Sequence, residues 1–252
     1  MKEGYHVNIA LLGLLGIVIG MLTILMGGGG GGIYLGILTG VVGLKTASAA
    51  STSLVTSLPP LMIGAWSYYR QKKIDVKIGN QMLITAIPSV IVGALVSGDI
   101  PAMIYKWLIG LILLALGFNM LFKKASKVKK TPQNDRLKAN LCGVLAGLMV
   151  GVAGMSGGNV ITAGLFLLGL KAFDATATST YVLVFMSAVG MLFHIAGGSV
   201  DWQAGIPLMV GATVGALIAP RLAAYLMKTQ FEYYMKPIIG VVLVLLGAKS
   251  LM

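Results

Sequence analysis

The residues of this chain with chemistry to offer fall into two clusters at matching positions. The first is a glycine run at 27–32, with Thr52 and Ser53 further on. The second is Gly154, Ser156, Gly157, Gly158 and Asn159, with Thr178 and Ser179 further on. A helix that restarts after a break presents unpaired N–H groups and a partial positive charge. Glycine lets a ligand approach that backbone closely. Two such helix starts facing each other would make a pocket for a small anion. The expected binding residues are therefore Gly28, Gly31, Gly32, Thr52, Ser53, Gly154, Ser156, Gly157, Gly158, Asn159, Thr178 and Ser179. A plainer reading competes for each of them. Ser and Thr in membrane helices commonly bond their own backbone, and glycines commonly serve close helix packing. Asn159 has fewer structural uses inside a glycine break.

The elements that position these residues come from a duplication. A shift of 126 residues lays Gly28 on Gly154, Gly31 on Gly157, Gly43-Leu44-Lys45 on Gly169-Leu170-Lys171, and Thr52-Ser53 on Thr178-Ser179. The register continues through Asp75 and Asp201, and Gly79 and Gly205. Self-similarity over most of a chain marks a repeated structural unit. The first unit reads as helices at 7–26, 48–69, 80–96 and 102–122, with a short apolar arm at 33–44 after the glycines. The second reads as helices at 139–152, 175–196, 204–227 and 234–251, with an arm at 160–170. Consecutive glycines cannot hold a helix, since each costs about 1 kcal/mol relative to alanine. Each break therefore falls between a helix and an arm too short to span comfortably. Ser48 and Asp174 are the expected N-caps of the helices that follow the arms, and Pro59-Pro60 should kink the first of these.

Composition fixes the surroundings. Hydrophobic residues make up 57% and charged residues 10%, against about 25% charged in an ordinary soluble domain. The apolar stretches match the roughly 20 residues that a bilayer span needs. The expected fold class is an all-α polytopic membrane protein of two repeated halves, each with four transmembrane helices and a broken or re-entrant arm. The boundaries are 1–122, a basic linker at 123–138, and 139–252. A net charge of +12 would suggest nucleic acid in a soluble chain. Here the lysines sit in loops between spans, as the positive-inside rule requires, so no nucleic-acid partner is expected. The partners are a small anionic substrate and the lipid bilayer. The oligomeric state is left open.

Charge also sets orientation. Loop 70–77 and linker 123–138 are basic and should face the cytoplasm. Loop 196–203, the counterpart of 70–77, has no Lys or Arg and carries Asp201. The same unit is thus expected to insert in opposite senses, as an inverted-topology repeat whose substrate site lies near the midplane. None of the seven acids lies within a span, which argues against a cation substrate. His194 is the one titratable group late in a span; it could relay a proton or bond a carbonyl. Lys45 and Lys171 close the two arms and either draw anions or satisfy helix ends. The single Cys142 excludes an internal disulfide and any cysteine-rich metal site. No Ser–His–Asp set, metal cluster or P-loop motif is visible, so neither an enzyme nor a cofactor is expected.

The repeated pattern also resembles a known family. A glycine-rich break, an arm ending Val42-Gly43-Leu44 or Leu168-Gly169-Leu170, and then Ala-x-x-Thr-Ser at 49–53 and 175–179 is similar to the TauE/SafE sulfite and sulfonate exporters. The resemblance covers nearly the whole chain. It implies transport of sulfur-containing or organic anions across the plasma membrane of a bacterium or archaeon. This chain departs from the family pattern in having Ser51 and Ala177 where Gly is common, and in lacking a proline near Gly36 and Thr162. An uncoupled anion channel and a non-transporting scaffold are the alternatives. The scaffold would use the duplicated breaks as packing devices only.

Overall fold

The computed structural model describes residues 9–28, 30–96, 132–154, 156–197 and 200–226, and isolated positions within 107–121 and 241–248. Every element among them is helical: α1 (Ile9–Leu25), α2 (Gly31–Gly40), α3 (Thr46–Arg70), α4 (Val76–Val96), α5 (Pro132–Ala153), α6 (Gly158–Leu167), α7 (Ala172–Gly197) and α8 (Trp202–Leu226). The expected helices at 102–122 and 234–251 fall largely outside the described residues. In length, α5 to α8 follow the same long, short, long, long order as α1 to α4. α4, α7 and α8 are long and apolar enough to cross a membrane.

Helix directions follow from the contacts. α1 and α8 pack through small residues, with Gly13 and Ile17 beside Gly211, and Ile17 and Met21 beside Gly215. Residue numbers rise together, so the pair is parallel. α3 also runs parallel to α8, from Thr52 beside Asp201 at one end to Arg70 beside Arg221 at the other. On the opposite strand of the bundle α4 and α5 are parallel, Gly143 lying on Met82 and Gly151 on Val90. α7 joins them, with Tyr181 at Gly79 and Gly190 near Val90. α3 and α7 themselves are antiparallel. Ser51 Oγ donates to His194 O at 2.9 Å near one end, and Tyr68 meets Phe173 edge-on with centroids 5.6 Å apart near the other. Since α1 and α3 run the same way, the α2 arm between them turns back. The same argument turns α6 back between α5 and α7.

Several helix starts differ from the sequence expectation. α3 begins at Thr46 with Lys45 at the N-cap and no side-chain cap, so Ser48 lies inside the helix. α7 begins at Ala172, which places Asp174 in the first turn rather than at the cap; there it pairs with Lys73 Nζ at 3.8 Å. The reason lies in the preceding glycines. Gly43 and Gly169 adopt positive φ of 77° and 84° and end the arms abruptly. The carbonyls of Lys45 and Lys171 then accept the first helical bonds from Ala49 and Ala175 N–H, both at 2.8 Å. α3 continues through Pro59 and Pro60 to Arg70. α5 starts at Pro132, so residues 132–138 of the expected linker are helical; proline suits a first helical turn, where its missing N–H costs nothing.

The capping acids are Asp75 and Asp201. Asp75 Oδ1 accepts from Ile78 N–H, and Asp201 Oδ1 from Ala204 N–H, both at 3.0 Å. Each carboxylate satisfies one orphan donor of α4 or α8 and faces the positive end of that helix. Outside, the bundle is apolar: Leu14, Ile84, Leu192 and Val210 are each more than half exposed. Inside, α3 and α7 bury rows of hydroxyls, including Ser51, Thr52, Ser53, Thr56, Thr176, Thr178, Ser179 and Thr180. Lipid at the rim and polar groups at the centre is the arrangement a membrane imposes.

Candidate functional site

The two breaks meet in the interior. α1 ends at Leu25, and Gly27 and Gly28 follow with φ of 73° and 80°; α5 ends at Ala153, and Gly154 follows with φ of 61°. Side chains other than glycine rarely adopt such angles, so the residue type is required at these turns. Ser156 Oγ donates to Gly28 O and accepts from Gly158 N–H at 3.3 Å. Gly31 packs directly against Ser156, where a Cβ would come within 2.9 Å of the Ser156 Cα. Gly157 packs against Ala146 in the same way, at 2.9 Å from its Cα. The N-cap residues of α2 and α6 are Gly30 and Gly157, which offer no side chain to cap the helix, and at α6 Ser156 takes up the Gly158 N–H instead. Gly158 and Asn159 open α6 and are buried, as are the next six residues of that arm. Gly32 occupies the second residue of α2.

The hydroxyls divide into two groups. Ser53 Oγ lies 3.1 Å from Gly154 O, and Ser179 Oγ donates to Gly27 O at 2.6 Å with Gly158 O at 3.1 Å. Both therefore touch the break of the other half or its flank. Thr52 and Thr178 lie further out. Thr52 Oγ1 accepts Asp201 N–H, and Thr178 Oγ1 accepts Asp75 N–H, each at 2.9 Å. These positions are repeat equivalents, so the halves exchange the same bond reciprocally, as two-fold related surfaces do. Thr52 also donates to Ser48 O at 2.7 Å. The structure thus gathers Gly28, Gly31, Gly154, Ser156, Gly157, Gly158, Asn159, Ser53 and Ser179 around the meeting point. It places Thr52 and Thr178 at the ends of α3 and α7 as ties to the capped loops.

Two residues absent from the sequence expectation belong beside the first break. Thr162 Oγ1 abuts Gly27, where an added Cβ would approach it to 2.5 Å, and Thr176 lies on the same side with Cα 3.1 Å from that position. Both side chains are fully buried, and neither hydroxyl has a hydrogen-bond partner among the described residues. Leaving such a group unpaired costs roughly 1–3 kcal/mol. The sequence held a clue to them. Thr162 is one helical turn from Asn159, and Thr176 one turn from Ser179, so each shares a face with an expected site residue. His194 Nε2 lies 2.9 Å from Gly151 O, so that nitrogen carries the proton and donates. Cys142 is buried as a free thiol against Gly164.

A bundle of apolar-rimmed helices with a hydroxyl-lined centre and paired interior helix starts is a membrane protein built around an internal polar site. Comparison with known proteins places it further. Residues 12–250 match the family described as Sulfite exporter TauE/SafE, and the chain belongs to that family of membrane transporters. It is similar to the probable membrane transporter protein YjnA of Bacillus subtilis, 26% identical over 90% of this chain and 94% of the relative. YdhB of the same organism is 27% identical over 87% and 91%. YfcA of Escherichia coli K12, also described as a probable membrane transporter protein, is 25% identical over 88% and 82%. No solved structure matches the chain.

Proposed function

We propose that the protein is a secondary transporter of a small sulfur-containing or organic anion, such as sulfite or a sulfonate, in the bacterial plasma membrane. The anion binds where the two breaks meet. One observation carries this reading above the others. The start of α6, at Gly157 to Asn159, lies beside two fully buried hydroxyls, Thr162 and Thr176, that have no hydrogen-bond partner among the described residues. Unpaired donors beside a helix N-terminus are what a dehydrated anion needs. The bacterial origin of the relatives and the sulfite in the family description support the compartment and the substrate class.

The halves are inverted in this reading. The antiparallel run of α3 and α7, which are repeat equivalents, supports an axis lying in the membrane plane. The returning arms α2 and α6 make each break the tip of a re-entrant hairpin, one from each side. Irregular backbone at that depth is tolerable only where protein or a cavity covers it, and the mutual packing of the two tips meets that condition. The bond from Ser156 to Gly28 closes the tips on each other, so passage requires it to open. Loop 71–75, with Lys72 and Lys73, faces the cytoplasm by the positive-inside rule.

Counterflow in proteoliposomes tests the substrate reading. Labelled sulfite, a short sulfonate, thiosulfate and a carboxylate are offered at equal concentration. Saturable exchange of at least one sulfur oxyanion is expected, and flux without counterflow would point to a channel instead. The topology is tested separately at Lys77 and Gln203, which are exposed repeat equivalents. An impermeant thiol reagent applied from outside should label Gln203→Cys and spare Lys77→Cys. Equal labelling of both would remove the inverted arrangement.

A further inference from the structure

A groove of about 700 Å³ lies between α3 and α8, away from the breaks and lined by Ile63, Trp66, Arg70, Leu217, Arg221 and Tyr225 among others. Because α3 and α8 are parallel, its lining is graded along one direction. Ile63 and Leu217 come first, Trp66 follows, and Arg70, Arg221 and Tyr225 close the end. Trp66 and Tyr69 stack with centroids 6.4 Å apart at the same level. Both arginines are exposed, and neither makes an ion pair or side-chain hydrogen bond with a described residue. No carboxylate lines the groove among the described residues. An aliphatic floor, an aromatic band and two unpaired guanidinium forks repeat the order of acyl chain, glycerol and phosphate in a phospholipid. A guanidinium fork matches phosphate oxygens in pairs.

The repeat supplies an internal control. The equivalents of Trp66, Arg70 and Arg221 in the other half are Leu192, Ala196 and Leu95. The fold therefore does not need aromatic or cationic side chains at these positions. They stand only at the end next to basic loop 71–77. We infer that this groove is a binding site for the phosphate headgroup of an anionic phospholipid in the leaflet at that end, the natural ligand being a lipid such as phosphatidylglycerol. The negative surface of the cytoplasmic leaflet would concentrate that ligand there. The inference rests on the proposed orientation of loop 71–75 for the choice of leaflet, and it is independent of the transported substrate.

The test uses the full chain purified in detergent, with native mass spectrometry and thermal unfolding as readouts. Phosphatidylglycerol, phosphatidylcholine and inorganic phosphate are the three probes. Phosphatidylglycerol should bind about tenfold more tightly than phosphatidylcholine, whose phosphate is the same but whose choline cation is repelled by the two guanidinium groups, and should raise Tm. Arg70→Gln with Arg221→Gln should erase that preference. Lys72→Gln with Lys77→Gln, outside the groove, should leave it intact. Should the arginine pair prove hard to express, Arg70→Lys with Arg221→Lys keeps the charge but loses the fork, and an intermediate preference is expected. The inference is overturned by any of four results: no preference in the parent, a preference kept by Arg70→Gln with Arg221→Gln, equal loss in Lys72→Gln with Lys77→Gln, or competition by inorganic phosphate as strong as by the lipid.

Discussion

The neighbourhoods of the two breaks share a backbone and differ in chemistry. Gly27 lies among Thr162, Thr176 and Ser179, whereas Gly154 lies against Ala50 with Ser53 close by. Shifting by the repeat turns Thr162 into Gly36, Thr176 into Ala50, Asn159 into Ile33 and Ser156 into Gly30. The residues that tie the halves together are kept in both: Ser53 with Ser179, Thr52 with Thr178, Asp75 with Asp201. The difference separates two jobs. Symmetric residues build the frame, since a two-fold contact uses each of them twice. The hydroxyls beside Gly27 that have no counterpart at Gly154, Thr162 and Thr176, come from the second half. On the proposed reading a single small anion would not need two equal half-sites, so the two neighbourhoods are free to differ.

The largest expected effect falls on Asn159. Asn159→Asp puts a like charge beside the anion and should abolish binding, while Asn159→Ala should weaken it by about 1–3 kcal/mol. The equivalent change Ile33→Asn should leave affinity unaltered. Isothermal titration or counterflow at equal expression gives the comparison, and matching losses at both positions would dissolve the asymmetry. Next come Thr162→Val and Thr176→Val, which delete the unpaired hydroxyls at nearly constant volume. Each should weaken anion binding by roughly 1–3 kcal/mol, yet leave Tm of the ligand-free protein equal or higher, because one buried unpaired donor is removed. A fall in Tm without a fall in affinity would assign these threonines to the frame.

Thr52→Val and Thr178→Val test the symmetric side. Each strands one backbone N–H, of Asp201 or Asp75, and should cost about 1–3 kcal/mol of stability. The two losses should be alike and affinity unchanged; a tenfold change in affinity at either position would return it to the binding site. The smallest effect is expected in the basic segment between the halves. Replacing Lys127, Lys129 and Lys130 by Gln should leave both affinity and Tm where they were. A measurable loss of substrate affinity there would show that anion capture begins outside the breaks.

Much of the frame was legible because it is written in residue types with narrow uses. Runs of glycine stop helices, so α1 and α5 end where expected. Period-126 matches at Gly43 and Gly169 mark the ends of the arms, and both adopt the left-handed angles that favour glycine. Helix starts were less legible. Ser48 and Asp174 have the chemistry of caps, but the helices begin immediately after the arm glycines and enclose both. Asp75 and Asp201, matched in the repeat, proved to be the caps. The meeting point of the breaks was half legible. Ser156 and Asn159 stand out inside a glycine break, and both are buried at it. Thr162 and Thr176 do not stand out, since nothing local distinguishes a hydroxyl that finds a carbonyl from one that does not. Thr180, one turn after Thr176, bonds Thr176 O at 2.9 Å; Thr176 has no such partner. Thr180 finds the carbonyl one turn back in its own helix and Thr176 does not, a difference that only the three-dimensional arrangement supplies.

The pairing of α1 with α8 has a consequence for how the protein is made. Gly20 packs against Ala212, a residue that the ribosome adds 192 positions later. At roughly 5–20 residues per second, α1 waits about 10–40 s in the membrane before its partner exists. Its glycine face must spend that interval against lipid or an insertion factor. α5 waits for nothing, because α4 is already in place when it emerges. The first helix of the chain is therefore among the last to find its seat, and a ribosome stalled before α8 would leave it exposed to quality control.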